Sequence, residues 1–164
     1  MILDQNMRLG SVTLTATGTY DFPDVIDLRS NTAYTATASG SLYTIGQGNQ
    51  NRDLGEGGDL YVIFTVTTAL AASTNPTYQV VVADDDGLDT NVLVIGEVSP
   101  TSGVAVGTQV AVRISPQVLG SVGQRYLGAN VVTSAGSTSG VISADVVMDI
   151  QDGKKYYASG FTVS

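Results

Sequence analysis

The segment from residue 52 to residue 66, RDLGEGGDLYVIFTV, constrains the possible folds of this chain more than any other. Its second half reads as an extended strand with apolar side chains on both alternating faces: Tyr61 and Ile63 on one side, Val62, Phe64 and Val66 on the other. Because neither face suits water, we expect this strand to be covered on both sides. The preceding glycines and acidic residues suit a tight turn into the strand. The segment therefore predicts a layered β-structure and carries no chemistry of its own.

Short runs of apolar residues recur along the rest of the chain, at intervals of about 8 to 15 residues, with turn residues between them. No helical pattern of ordinary length interrupts them. The pattern predicts an all-β, antiparallel β-sandwich of about eight strands, formed as a single domain over residues 1–164. The predicted strands cover residues 11–17, 25–28, 60–66, 78–83, 92–98, 110–114, 125–132 and 141–150.

Three segments fall outside this pattern. Residues 1–10 form an N-terminal segment, residues 29–51 a surface arm or insertion, and residues 152–164 an aromatic tail. An apolar or aromatic side chain in a segment that contributes little to a core is a candidate for contact with a partner. The candidates for partner contact or self-contact are Tyr34, Leu42, Tyr43, Ile45, Tyr156, Tyr157 and Phe161.

Composition removes most enzyme mechanisms. The chain has no cysteine and no histidine, so thiolate catalysis, disulfides, cysteine-bound metals and the commonest general base are all absent. We therefore expect no enzymatic activity, no catalytic residues and no cofactor. The formal net charge of −8 makes nucleic acid a poor partner, and no apolar run approaches the ~20 residues that span a bilayer. The start lacks the pattern of a secretory signal, and we expect a soluble protein that binds neither nucleic acid nor membrane.

A few motifs superficially suggest chemistry. The acidic turn Asp84–Asp89 is the one place with the density of oxygens that a hard cation needs, but it lacks the spacing of an EF-hand loop. The sequence Gly136-Ser137-Thr138-Ser139-Gly140 resembles a nucleophile elbow without a serine at its centre. The sequence Gly46-Gln47-Gly48 begins like a dinucleotide motif but does not continue as one. None of these predicts a catalytic, cofactor or metal site, although ion binding at the acidic turn stays open.

Several short motifs together resemble those of a known family: Val25-Ile26-Asp27-Leu28, Arg52-Asp53-Leu54-Gly55-Glu56-Gly57, the strand from Leu60, the acidic turn Asp84–Asp89, Arg125-Tyr126-Leu127 and Asp149-Ile150-Gln151. They are similar to motifs in the jelly-roll capsid cement (decoration) proteins of tailed bacteriophages, over about residues 24–151. The resemblance implies a jelly roll, a homo-oligomer (dimer or trimer), and binding to the major capsid (coat) protein on the outer surface of an HK97-type capsid. It implies a structural virion protein, made in the host cytoplasm. Residues 29–51 and the aromatic tail depart from the family's pattern.

Two other interpretations stay open from sequence. The first is a phage fibre, adhesin or carbohydrate-binding β-sandwich module, in which Tyr34, Tyr43 and the Asp84–Asp89 turn would bind the glycan; the absence of tryptophan disfavours it. The second is a β-sandwich hydrolase with paired carboxylates, disfavoured because the chain has only two glutamates, Glu56 and Glu97.

Overall fold

The computed structural model describes residues 7–28, 60–71, 76–101, 105–114, 124–134 and 139–147. These residues form nine β-strands: β1 (Arg8–Leu14), β2 (Gly18–Asp21), β3 (Ile26–Asp27), β4 (Leu60–Thr68), β5 (Thr77–Ala83), β6 (Leu93–Val98), β7 (Gln109–Ile114), β8 (Tyr126–Thr133) and β9 (Gly140–Val147). Within these ranges no helix is long and apolar enough to cross a membrane.

The strands form two antiparallel sheets that pack face to face. One sheet has the order β1-β9-β4-β7, and the other has the order β2-β8-β5-β6, with the short β3 also paired to β8. Consecutive strands such as β4 and β5, or β6 and β7, lie in opposite sheets. With β3 set aside, this is the strand order of an eight-stranded jelly roll. The structure confirms the predicted all-β antiparallel sandwich and gives it a jelly-roll connectivity.

The N-terminal part of the sandwich differs from the prediction. The first strand lies three residues earlier than expected and ends at Leu14, and β2 occupies residues for which the sequence indicated a turn. The turn instead covers residues 15–17, where the Tyr20 hydroxyl accepts the Ala16 N–H at 2.7 Å and donates to the Ala16 carbonyl at 3.0 Å. Thr133 donates to the same carbonyl at 2.9 Å. Side chains distant in sequence thus close a turn that local residue preferences do not reveal.

The core lies between the two sheets and contains buried side chains of β1, β3, β4, β5, β7, β8 and β9, together with Phe22 and Leu70. Partly buried side chains of β2 and β6 pack against it. Phe64 on β4 is its centre, with ring centroids 5.7 Å from Phe22 and 5.1 Å from Tyr78. Tyr78 is fully buried, and its hydroxyl has no hydrogen-bond partner. Burial raises the pKa of Tyr78 to about 12, because the charged form would be poorly solvated there.

Strand β4 is buried on its core face and covered in part on its outer face, where its sequence predicts that both faces are covered. Val62, Phe64 and Val66 point into the core and are at most 1% exposed. On the outer face Ile63 is 5% exposed, between Ala111 of β7 and Asp145 of β9, whereas Tyr61 is half-buried. The opposite sheet covers the core face, and the flanking strands β7 and β9 limit the exposure of the outer face.

Candidate partner-binding surface

The contact residues predicted from sequence lie outside the described residues. This applies to Tyr34, Leu42, Tyr43, Ile45, Tyr156, Tyr157 and Phe161, and also to the turn at residues 52–59. Residues 149–151, which also carried the family resemblance, lie outside the described residues, and the strand from Leu60 is β4 of the sheet β1-β9-β4-β7. The remaining segments, residues 25–28, 84–89 and 125–127, belong to or adjoin the other sheet, formed by β2, β8, β5 and β6 with β3 attached.

Two of these segments pair with each other directly. In the ladder between β3 and β8, Ile26 lies opposite Leu127 and Asp27 opposite Tyr126. The Arg125 guanidinium donates two hydrogen bonds to the Asp27 carboxylate, at 3.0 and 2.7 Å, and lies 4.9 Å from the centre of the Tyr126 ring. This two-point geometry suits a planar guanidinium. The charged residues of both segments therefore attach β3 to the sheet, which is a structural role.

The acidic turn is a closed loop. The Asp85 carboxylate accepts the N–H groups of Thr90 at 2.7 Å and Asp89 at 3.1 Å, and the Asp84 N–H donates to the Thr90 carbonyl at 3.0 Å. The Asn91 amide donates to the Asp84 carboxylate at 2.7 Å. The pKa of Asp85 lies below its usual value, mainly because the Thr90 N–H stabilises the charged form. Two of the four aspartates are thus engaged in holding their own loop.

The same loop covers part of the outer face of its sheet. Leu88 is 5% exposed and forms a small apolar cluster with Val81 and Ala83 of β5, against which the half-buried Val25 packs. It has a positive φ of 58°, a conformation uncommon for leucine. A Cβ atom added to Gly128 would lie 2.6 Å from Leu88 Cδ1, so the loop rests directly on a glycine of β8. The loop owes its position to this apolar contact as well as to Asp85.

Two polar side chains lie on neighbouring strands beside this cluster, of which Asn130 is buried and Asp21 is exposed. Asp21 of β2 lies opposite Asn130 of β8 in the ladder. Burial raises the pKa of Asp21 above its usual value, the Asn130 amide opposes the increase, and the charge of Asp89 adds to it. The Asn130 Oδ1 atom is buried without a hydrogen-bond partner. Among the described residues, no group of three or more acidic side chains is arranged to hold a metal ion.

The strand β6 is one edge of this sheet, and β2 is the other. In the described part of the chain β6 pairs with β5 alone. Val92, Leu93 and Val94 are 43 to 44% exposed, whereas the later residues Ile95 and Val98 pack against the core. Val80 pairs with Gly96 and Val81 with Val94, so Ile95 is an extra residue that forms a β-bulge.

Sequence reasoning placed residues 92–98 in a strand but did not identify its start as a surface for partners. Three consecutive apolar residues in a strand usually indicate a buried strand. Only the strand order shows that β6 is an edge, and only the bulge at Ile95 explains why its two halves differ in burial. The one available signal was the acidic turn immediately before it, which predicts proximity to solvent.

Comparison with known proteins identifies a family to which the chain is similar. The model of a protein family named Bbp16 matches residues 11–146, which is most of the chain and includes every strand but the first residues of β1 and the last residue of β9. No curated protein matches the chain.

Proposed function

Because the chain belongs to the Bbp16 family, which is associated with phages, we propose that it is a structural protein of the phage particle. Its role would be that of a capsid cement or decoration protein, which binds the outer surface of an HK97-type capsid and stabilises the contacts between coat subunits. The proposal needs no catalytic residue and no cofactor. Its partners are the major capsid protein and further copies of itself.

One observation carries the proposal: a jelly roll of a phage-associated family has an edge strand with an exposed apolar start, while Asp85 and Arg125 near it are engaged within the fold. This combination suits contact with proteins rather than small-molecule chemistry. The resemblance of residues 24–151 to cement proteins supports the same function. A net charge of −8 favours the outside of the shell over the side that faces packaged DNA.

Attachment of many copies to a lattice makes strong individual contacts unnecessary. Each bound oligomer engages more than one coat subunit, and linked contacts raise the overall affinity well above that of any one of them. Capsid stability then depends on occupancy across the shell.

The test is co-sedimentation with empty capsids of the source phage that lack this protein. We expect the purified full-length chain to pellet with the capsids, to saturate at a fixed ratio to coat protein, and to raise the temperature at which the capsids disrupt. The proposed function would be wrong if the protein stayed in the supernatant at all concentrations and the capsids disrupted at an unchanged temperature.

A further inference from the structure

The first half of β6 is a strand edge ready for pairing. Every second residue of an edge strand directs its N–H and C=O away from the sheet, and such groups readily pair with another chain. The second half carries no comparable apolar surface, because Ile95 and Val98 pack against the core and Gly96 faces β7, where an added Cβ atom would lie 2.7 Å from Val112 Cγ1. The exposed apolar side chains are therefore those of Leu93 and Val94, at the start of the strand, and of Val92 just before it.

The segment that forms this edge carries charge of one sign, although Arg125, just before β8, interacts with Asp86 in the loop while it pairs with Asp27. Residues 84–98, which comprise the acidic loop and the strand, contain five carboxylates and no lysine or arginine. The carboxylates are those of Asp84, Asp85, Asp86, Asp89 and Glu97. An apolar edge beside such a loop is complementary to an apolar segment with cationic side chains next to it.

A second copy of this chain fits the edge poorly. If two β6 strands paired in antiparallel fashion, each acidic loop would lie towards the Glu97 end of the other copy. Ten carboxylates, five from each copy, would then meet without a single cation from either segment. Like charges at an interface disfavour association, so the charge pattern selects against self-pairing at this edge.

We propose that the start of β6 binds an extended segment of the coat protein by strand addition. The segment would carry apolar side chains at two adjacent positions, one on each face, which contact Leu93 and Val94, and a lysine or arginine at the end that lies over the acidic loop. Main-chain hydrogen bonds provide attachment in this mode of recognition, and the side chains provide selectivity. This inference rests on the proposed function, because it names the part of the coat protein that the edge binds.

The test uses the full-length chain and the same empty capsids, with Val94→Lys as the variant. Lysine at an edge opposes strand addition and reduces the negative charge that a basic segment requires. We expect V94K to bind capsids at least tenfold more weakly than the wild type, and we expect wild-type binding to weaken between 50 and 500 mM NaCl. The matched control is Val106→Lys, which adds the same charge at a more exposed valine in the turn before β7 and should bind within twofold of wild type.

The remaining outcomes separate the alternatives. If the wild type binds and V94K binds equally well, the strand-addition inference is wrong and the proposed function stands. If the wild type does not bind, the inference and the proposed function are both wrong.

Light scattering tests whether a second copy of the chain binds the edge instead. If the wild type is an oligomer and V94K is a monomer, the edge binds a second copy and the inference is wrong. Circular dichroism verifies folding, and Val92→Lys, which lies before the strand, replaces V94K if that variant does not fold.

Discussion

The acidic loop at residues 84–91 and the strand that follows it are neighbours in sequence with opposite properties. The loop is polar, yet it uses Asp85 to bind its own backbone and buries Leu88 against the sheet. The strand is apolar, yet its first residues, together with Val92, are more than two-fifths exposed. The polar segment is thus held by contacts within the fold, whereas the apolar segment begins with side chains that are exposed to solvent.

This contrast shows that residue type alone does not identify a binding surface. An aspartate-rich turn suggests a ligand site, but here its carboxylate satisfies backbone donors that would otherwise lack partners. An apolar run suggests a core strand, but at the edge of a sheet it has a partner on one side only. Three substitutions test the contrast in terms of stability.

Leu88→Ala should have the largest effect. It removes a buried side chain from the contact with Val81 and Ala83, and we expect a loss of about 2 to 3 kcal/mol in the free energy of unfolding. Alanine retains the Cβ atom, so the strain of the positive φ is unchanged. The matched control Val94→Ala should change stability by less than about 1 kcal/mol, since Val94 is exposed. Urea denaturation measures the free energy of unfolding of both variants. Equal losses would show that Leu88 contributes no more to stability than the exposed Val94.

Gly128→Ala should have an intermediate effect. The added methyl group meets the tip of Leu88, which must move, and we expect a loss of about 1 to 2 kcal/mol. In the double variant with L88A that clash is absent, so the combined loss should be smaller than the sum of the single losses. A double-mutant cycle by urea denaturation measures this difference. Strict additivity would show that Leu88 does not rest on Gly128.

Tyr78→Phe should have the smallest effect at neutral pH, and in the opposite direction. The Tyr78 hydroxyl is a buried polar group without a partner, the reverse of the Asp85 carboxylate, and its removal should stabilise the protein by about 1 kcal/mol. The advantage should grow above pH 10, because the unfolded chain then loses a proton that the folded chain retains up to the pKa of about 12. Thermal unfolding of the wild type and Y78F between pH 7 and 11 measures the difference in their stability. A Y78F variant less stable than the wild type would show that the Tyr78 hydroxyl does have a stabilising partner.

Much of the fold could be predicted from the sequence because burial alternates with a period of two. In β9, Ile142, Ala144 and Val146 alternate in the sequence with other residues and are buried, whereas the residues between them are half-buried. In β8, Leu127, Ala129 and Val131 alternate with larger or polar residues and are fully buried, but there the residues between them are buried as well. Strand β2 was not predicted, since the turn before it depends on Thr133, which is more than 100 residues away in sequence.

The sequence by itself determined the class of this protein: a sandwich whose β4 is apolar on both faces, without the cysteine or histidine that most catalytic sites require. Only the tertiary structure decided which strands have one neighbour and which have two. The order β2-β8-β5-β6 places residues 93–98 at an edge, and packing of Ile95 and Val98 against the core leaves apolar side chains exposed only at the start of that strand. Alternation along a chain reports which face of a strand is buried, whereas pairing between distant segments determines where a sheet ends.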